Sequence, residues 1–350
     1  MSGPRRWRGF EEEEGMRIGH IALSLCVASG VLLLAGCGDS SGGSSPGSTP
    51  VAGGTSVDEA RGLKLGFSQV GAESGWRTAN TESIKGEAAK RGVDLKFADA
   101  QQKQENQIKA IRSFIAQGVD VIAFSPVVET GWEPVLQEAK RANIPVIVSD
   151  RRADVPEDLY ATFIGSDFVK EGEMAGEWLV KATKGTANVA ELTGTPGSAP
   201  ANDRAKGFRS ALASHDGVKI VFTQTGDFTR TKGKEVMEAL LKSPVGGTIN
   251  AVFAHNDDMA LGAIQAIQEA GKKPGKDILV VSIDGIKDAF KAMVDGTLNC
   301  TVECNPLLGP NIIDAAVKLK KGETLPKRTV VEDGIFDQSV AAKELPNRKY

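Results

Sequence analysis

The chain has 350 residues, a formal net charge of -3, and 41% hydrophobic and 25% charged residues. That length accommodates two domains with separate cores, and the composition is that of an ordinary globular protein. The nearly balanced charge, with no basic cluster on any predicted helix, excludes an electrostatic footprint for nucleic acid.

The N-terminus carries the localisation signal. Arg5, Arg6 and Arg8 form the densest basic group, but the acidic run Glu11–Glu14 separates Arg5-Arg6 from the apolar segment, which argues against a twin-arginine signal. Met16-Arg17 opens a conventional signal, so translation is expected to begin at Met16. Ile18 to Leu34 is mostly apolar and short for a membrane span. It ends in Leu34-Ala35-Gly36-Cys37, and small residues after an apolar region mark a secretory cleavage site. The ending resembles a bacterial lipobox, which implies that Cys37 becomes a lipidated first residue; an ordinary signal followed by a chance cysteine is the alternative. Residues 1–36 therefore read as a signal peptide. Residues 37–61 read as a lipidated cysteine and a Gly/Ser/Pro tether, too poor in apolar residues to fold.

From Leu63 onward, apolar β-branched runs alternate with helical patterns. The runs begin near Leu63, Leu95, Val119, Ile144, Ala161, Ala187, Lys219, Ile249, Ile278 and Asn299. Between them lie stretches such as ENQIKAIRSFIAQ and MALGAIQAIQEA, with apolar residues at three- and four-residue spacing. Gly92, Gly118, Gly185 and Gly271 follow helices at C-cap positions. Such alternation predicts an α/β fold of parallel sheets covered on both faces. Ten or more strands are many for one sheet, so two doubly wound lobes are expected, the second entered near Gly165-Ser166-Asp167.

Five of these strands run into polar groups. LKLGFSQV leads to Glu73-Ser74-Gly75-Trp76-Arg77, PVIVS to Asp150-Arg151, ANVAELTG to Asn202-Asp203-Arg204, INAVFA to His255-Asn256-Asp257, and ILVVSI to Asp284-Gly285. Ligands of open α/β sheets bind beyond the carboxyl ends of the strands, so the five groups point to one polar cleft for a small hydroxylated ligand. Carboxylates and amides accept from adjacent hydroxyls, and Arg donates through a planar fork. Each residue also has a plainer reading. Asp150 with Arg151 reads as a ligand pair or a surface ion pair, and Arg204 likewise. Trp76 is a stacking face for a sugar ring or a packing residue at a helix start. Asn256 is a ligand contact or a turn residue, with Asp257 and Asp258 expected to cap the helix that follows. Asp284 is a ligand contact or a helix N-cap. Phe67 is core or cleft wall, and Trp132 and Trp178 are core or cleft rim.

Enzymatic signatures are sparse. Of three His, His20 lies in the signal, and His215 and His255 have no clustered Cys or carboxylates for a metal. No nucleophile elbow, P-loop or GxGxxG stands in the required strand-to-helix setting. No catalytic residue, metal or cofactor is expected. Cys300 and Cys304 sit in the strand-like TLNCTVECNP, roughly 13 Å apart along a strand, too far for a disulfide. They read as buried thiols, with a CxxxC metal site as the alternative.

The blocks GFSQVGAESGWR, QQKQENQIKAIRSFIAQGVD, PVVETGWEPVLQEAK, GDFTRTKGKEVMEAL and AHNDDMALGAIQAIQEAG support a resemblance covering Leu63 to about Pro310. The mature chain resembles the type I periplasmic sugar-binding proteins of ABC importers, in the ribose- and galactose-binding group and most like its galactofuranose-binding members. The resemblance implies two lobes joined by three crossing segments, near Gly165–Asp167, Asp284–Ile286 and Glu303–Pro306. The N-terminal lobe would comprise 62–164 plus 287–302, and the C-terminal lobe 165–286 plus 303–350. It implies ligand contacts at Glu73, Ser74, Gly75, Trp76, Arg77, Asp150, Arg151, Arg204, Asn256 and Asp284. Arg152 and the loop Thr195–Ala201 depart from the family pattern at the cleft border. The implied protein is a monomer without enzymatic activity. It is anchored to the membrane through Cys37 on the extracytoplasmic side, and it delivers a monosaccharide, galactofuranose or a similar hexose or pentose, to an importer permease. A sugar sensor serving a chemoreceptor or sensor kinase is the alternative.

Overall fold

The computed structural model describes residues 57–350. The predicted signal, the Cys37 lipidation site and the tether up to residue 56 lie outside the described residues. No helix among the described residues is long and apolar enough to cross a membrane.

The chain first winds through α1 (Val57–Ala60), β1 (Lys64–Gln69), α2 (Gly75–Lys90), β2 (Asp94–Asp99), α3 (Gln104–Ala116), β3 (Val121–Phe124), α4 (Glu133–Arg141), β4 (Val146–Ser149) and β5 (Thr162–Gly165). It then winds through α5 (Phe168–Ala182), β6 (Ala187–Thr193), α6 (Ala199–Leu212), β7 (Val218–Thr225), α7 (Arg230–Leu241), β8 (Ala251–Ala254), α8 (Asp257–Glu269), β9 (Leu279–Asp284), α9 (Lys287–Val294) and β10 (Cys300–Glu303). The remainder forms α10 (Gly309–Lys320), β11 (Arg328–Val330), β12 (Ile335–Asp337) and α11 (Gln338–Glu344). The ten strands expected from sequence all form, each beginning within two residues of its predicted start.

Two six-stranded sheets result, in the orders β11-β5-β4-β3-β1-β2 and β12-β10-β9-β8-β6-β7. Every pairing is parallel except that of β10 with the edge strand β12. In each sheet the order reverses beside the first strand, between β1 and β3 or between β6 and β8, and this switch opens a crevice at the carboxyl ends. Strands β3, β4 and β8 are buried at every position, as parallel strands covered on both faces must be.

The expected lobe boundaries need correction. Residues 287–302 do not join the first lobe. Strand β10 pairs with β9 in the second sheet, and α9 buries Phe290 and Met293 in the second lobe's core. The segment that returns to the first lobe is α10 with β11. Helix α10 places Ile312 and Ile313 in the core that holds Leu65 and Phe67, and β11 pairs with β5. The chain therefore crosses at Gly165–Asp167, between β10 and α10, and between β11 and β12. Asp284–Ile286 opens the β9-α9-β10 connection between two parallel neighbours of the second sheet, and is not a crossing. Phe67 and Trp132 are fully buried core residues.

Candidate functional site: a closed cleft between the lobes

The strand ends converge on a small polar pocket lined by both lobes. From the first lobe come Glu73, Ser74, Trp76, Arg77, Asp150 and Arg151; from the second come Phe168, Pro200, Arg204, Phe228, Asn256 and Asp284, with Cys304 at the crossing. Nine of the ten predicted contacts line it. The tenth, Gly75, does not: its backbone N–H donates to Asp258 Oδ2 across the lobes at 2.7 Å.

The first-lobe side is built around paired charges. Ser74 caps helix α2, its Oγ accepting from the Arg77 backbone N–H at 3.1 Å, so the capping turn aims Arg77 back over the β1 end. Arg77 Nη2 meets Asp150 Oδ2 at 2.7 Å, and its Nε donates to Glu73 Oε1 at 3.0 Å. Burial works against the Arg77 charge, but Asp150 and Glu73 outweigh it, and its pKa ends above the ordinary value. Asp150 also accepts from Ser125 Oγ at 2.9 Å, fixing the carboxylate from the β3 end. Arg151 donates to Glu73 Oε1 and to the Val127 carbonyl, each at 3.2 Å. Burial first, and then the neighbouring Arg77 charge, pull its pKa down to about 10, so it remains a cation at neutral pH. Asp150 and Arg151 are thus a buried pair and not a surface one.

On the second-lobe side, α6 carries Arg204, which donates to Glu171 Oε2 at 2.7 Å and to the His255 carbonyl at 2.6 Å. Its guanidinium lies 3.7 Å from Asp284 Oδ1. Asp284 ends β9 with φ 130°, a conformation rarely adopted by a residue with a side chain. Burial raises its pKa well above the carboxylate range, with Arg204 opposing. It does not cap α9, whose N-cap is Ile286. Asn256, expected as a ligand contact or turn, lines the cavity and is itself the N-cap of α8. Its Oδ1 accepts from the Met259 N–H at 3.0 Å, and its Nδ2 donates to the Phe228 carbonyl at 3.1 Å. The caps expected at Asp257 and Asp258 are therefore corrected. Asp257 instead accepts from Ser282, Thr301 and the Ile286 N–H, and Asp258 holds Gly75 and Arg230.

Apolar faces complete the lining. Trp76, although on a first-lobe helix, packs into the second lobe's core, and its Nε1 donates to the Cys304 carbonyl at 2.5 Å. Phe168 lies under Arg204 and Phe228 under Arg151, with ring centroids 5.0 and 5.3 Å from the guanidinium carbons. Sequence reasoning missed Phe168, Phe228, Pro200 and Glu171. Phe168 follows the first crossing and Phe228 the β7 end, so both sit at the position that flagged the others, but their apolar side chains gave no signal. His255 points away from the cavity into the second lobe, 3.2 Å from Glu191, with its pKa lowered by burial. Cys300 and Cys304 are buried free thiols, and among the described residues no cluster of His, Cys and carboxylates is arranged to hold a metal ion.

The lobes also meet at the rim. Asn202 Nδ2 donates to Glu129 Oε2 at 2.6 Å, the Glu129 N–H donates to the Gly197 carbonyl at 2.9 Å, and Arg152 bridges Glu129 and Asp203. Arg152 and the Thr195–Ala201 loop therefore meet the opposite lobe at the border of the cleft.

Two doubly wound parallel sheets enclosing a polar pocket at their facing carboxyl ends define a binding protein of the clamshell type. The periplasmic binding protein domain matches residues 65–324, and the chain belongs to that family, with the type I fold. The galactofuranose-binding protein YtfQ of Escherichia coli (strain K12) is 54% identical over 291 residues, 82% of this chain and 92% of that protein. Two solved structures are equally similar. One is the binding component of the arabinose ABC transporter from Shewanella sp. ANA-3, bound to α- and β-L-arabinofuranose. It is 56% identical, with a TM-score of 0.80, over 82% of this chain and 95% of that one. The other is a Mycobacterium smegmatis protein in complex with β-D-fucofuranose, 57% identical, with a TM-score of 0.80, over the same shares. These relatives are binding proteins, not enzymes.

Proposed function

We propose that this chain captures one furanose-form monosaccharide between its lobes and delivers it to an ABC importer. One observation carries the reading. Glu73 and Arg151 line the cavity, yet Glu73 Oε2 and Arg151 Nε are buried without a hydrogen-bond partner. Buried polar atoms are almost always satisfied, and ring hydroxyls both donate and accept, so a sugar supplies what the protein withholds. Glu73, Ser74, Arg77, Asp150, Arg151, Arg204, Asn256 and Asp284 are the polar contacts, and Trp76 offers its face to the C–H side of the ring. Gly75 acts in closure through Asp258. Relatives bound to arabinofuranose and fucofuranose favour a single five-membered ring. Contacts from both lobes favour the closed state, and the loaded, closed monomer is the form that the importer permease accepts. Lipidation of Cys37 holds it at the outer face of the membrane, and mass spectrometry of the mature N-terminus reads this directly.

The test is a thermal-shift and calorimetric comparison of methyl furanosides with methyl pyranosides of L-arabinose, D-galactose and D-fucose. Ring-locked furanosides are expected to raise the melting temperature, because a ligand that binds only the folded state stabilises it. Equal responses to both ring forms would overturn the furanose assignment, and no response to any sugar would overturn the function.

A further inference from the structure

Asp284 presents its carboxyl to the cleft from a backbone that does not hold itself. With φ 130° it precedes Gly285 at φ 75°, and such conformations persist only where the surroundings impose them. Besides the Cys304 N–H, which donates to the Asp284 carbonyl at 3.1 Å, three contacts fix the peptides that follow. The Gly285 N–H donates to Thr301 Oγ1 at 3.2 Å, and the Ile286 N–H to Asp257 Oδ2 at 2.8 Å, both within the second lobe's sheet region. The third comes from beyond α11. Arg348 Nε donates to the Gly285 carbonyl at 3.0 Å, while its Nη2 pairs with Glu303 Oε1 at 2.8 Å. Glu303 stands opposite Asp284 in the β9–β10 register, and the next residue is Cys304, whose carbonyl holds Trp76. One guanidinium therefore spans the ends of β9 and β10, beside Asp284 and Cys304.

Arg348 is itself locked. It lies over the rings of Phe290, Phe336 and Tyr350, with centroids 4.7, 5.3 and 4.8 Å away. The Tyr350 hydroxyl donates to Glu303 Oε1 at 2.9 Å, and its carbonyl accepts from the Lys287 N–H at 2.6 Å. A side chain at position 285 would meet Arg348 Nη2 at 2.9 Å, so the glycine leaves room for this approach.

We propose that Arg348 is a positioning residue of the binding site, holding Asp284 and the Cys304 carbonyl in place from outside the cavity. The inference rests on the function proposed above. Arg348→Ala removes a charge-assisted hydrogen bond and is expected to weaken affinity for methyl α-L-arabinofuranoside about tenfold. Amide exchange at residues 284–286 should rise while exchange in β1 and β3 stays unchanged, a localised response that general destabilisation would not give. Arg348→Lys keeps the charge beside Glu303 but cannot span both partners; it is expected to fall between wild type and Ala, and it serves if the Ala variant does not fold. Asp284→Ala is the reference. If it loses affinity while both Arg348 variants bind within twofold of wild type, or if their exchange at 284–286 is unchanged, the positioning role is wrong. If Asp284→Ala also binds normally, the ligand contact at Asp284 fails, and the Arg348 role with it.

Discussion

Asp150 occupies φ 61° at the end of β4 and turns its carboxylate between Arg77 and Ser125. Asp is one of the few residues with a side chain that tolerates this left-handed region, so one residue type serves both the backbone and the charge. Asp150→Asn keeps the backbone tolerance and removes the charge. It leaves Arg77 and Arg151 facing the cavity with less compensation, and calorimetry is expected to show affinity falling at least tenfold, about 1.4 kcal/mol or more, while circular dichroism stays native. Unchanged affinity would remove Asp150 from the site. The sequence marked Asp150 and Arg151 as candidates because they follow an apolar strand; it did not separate a buried pair from an exposed one, because burial depends on the opposite lobe.

At the scale of elements, the position of Arg204 is set by how α6 lies on α5. A methyl group at Gly207 would come within 1.9 Å of the Val169 carbonyl, and one at Gly172 within 2.2 Å of the Arg204 carbonyl. The two helices cross nearly backbone to backbone, which brings Arg204 against Glu171 on α5. Gly207→Ala is expected to push α6 outward, costing about 1–3 kcal/mol of stability and weakening sugar binding through the displaced guanidinium. Denaturant unfolding together with calorimetry checks this; a variant as stable as wild type would refute the close contact. The long periodic helices and the ten apolar strands were readable because each carries its own pattern. The three-residue strands β11 and β12 carry none, and they form because α10 and the neighbouring sheet edges are already in place. That is why the exchange of segments between lobes went unread.

At the scale of the whole molecule, the crossings are joined by one half-buried carboxyl. Asp333, between β11 and β12, accepts from the Asn305 N–H at 3.2 Å and from the Ser166 hydroxyl, which ties the three crossings together. Burial, and then the charge of Glu171, push its pKa up to about 8, with Glu303 adding to the effect. A carboxyl whose pKa is raised on folding holds its proton more tightly in the folded state. Its contribution is therefore complete below about 4 and is lost as pH rises through about 8. Asp333→Asn keeps an acceptor and removes the titration, so it should melt like wild type at pH 4 and higher than wild type at pH 8.5. A melting difference that does not change with pH would rule out this ionisation.

By itself the sequence determined the two-lobed α/β architecture, the strand ends and most of the residues that gather in the cleft. These follow from local periodicity and from residues a few positions beyond each strand. Only the tertiary structure decided which segments cross between the lobes, that Gly75 meets Asp258 instead of the cavity, and that Arg348 reaches Gly285. Those contacts join residues far apart in the chain, and their geometry exists only once two sheets, each stable through its own core, have been brought face to face.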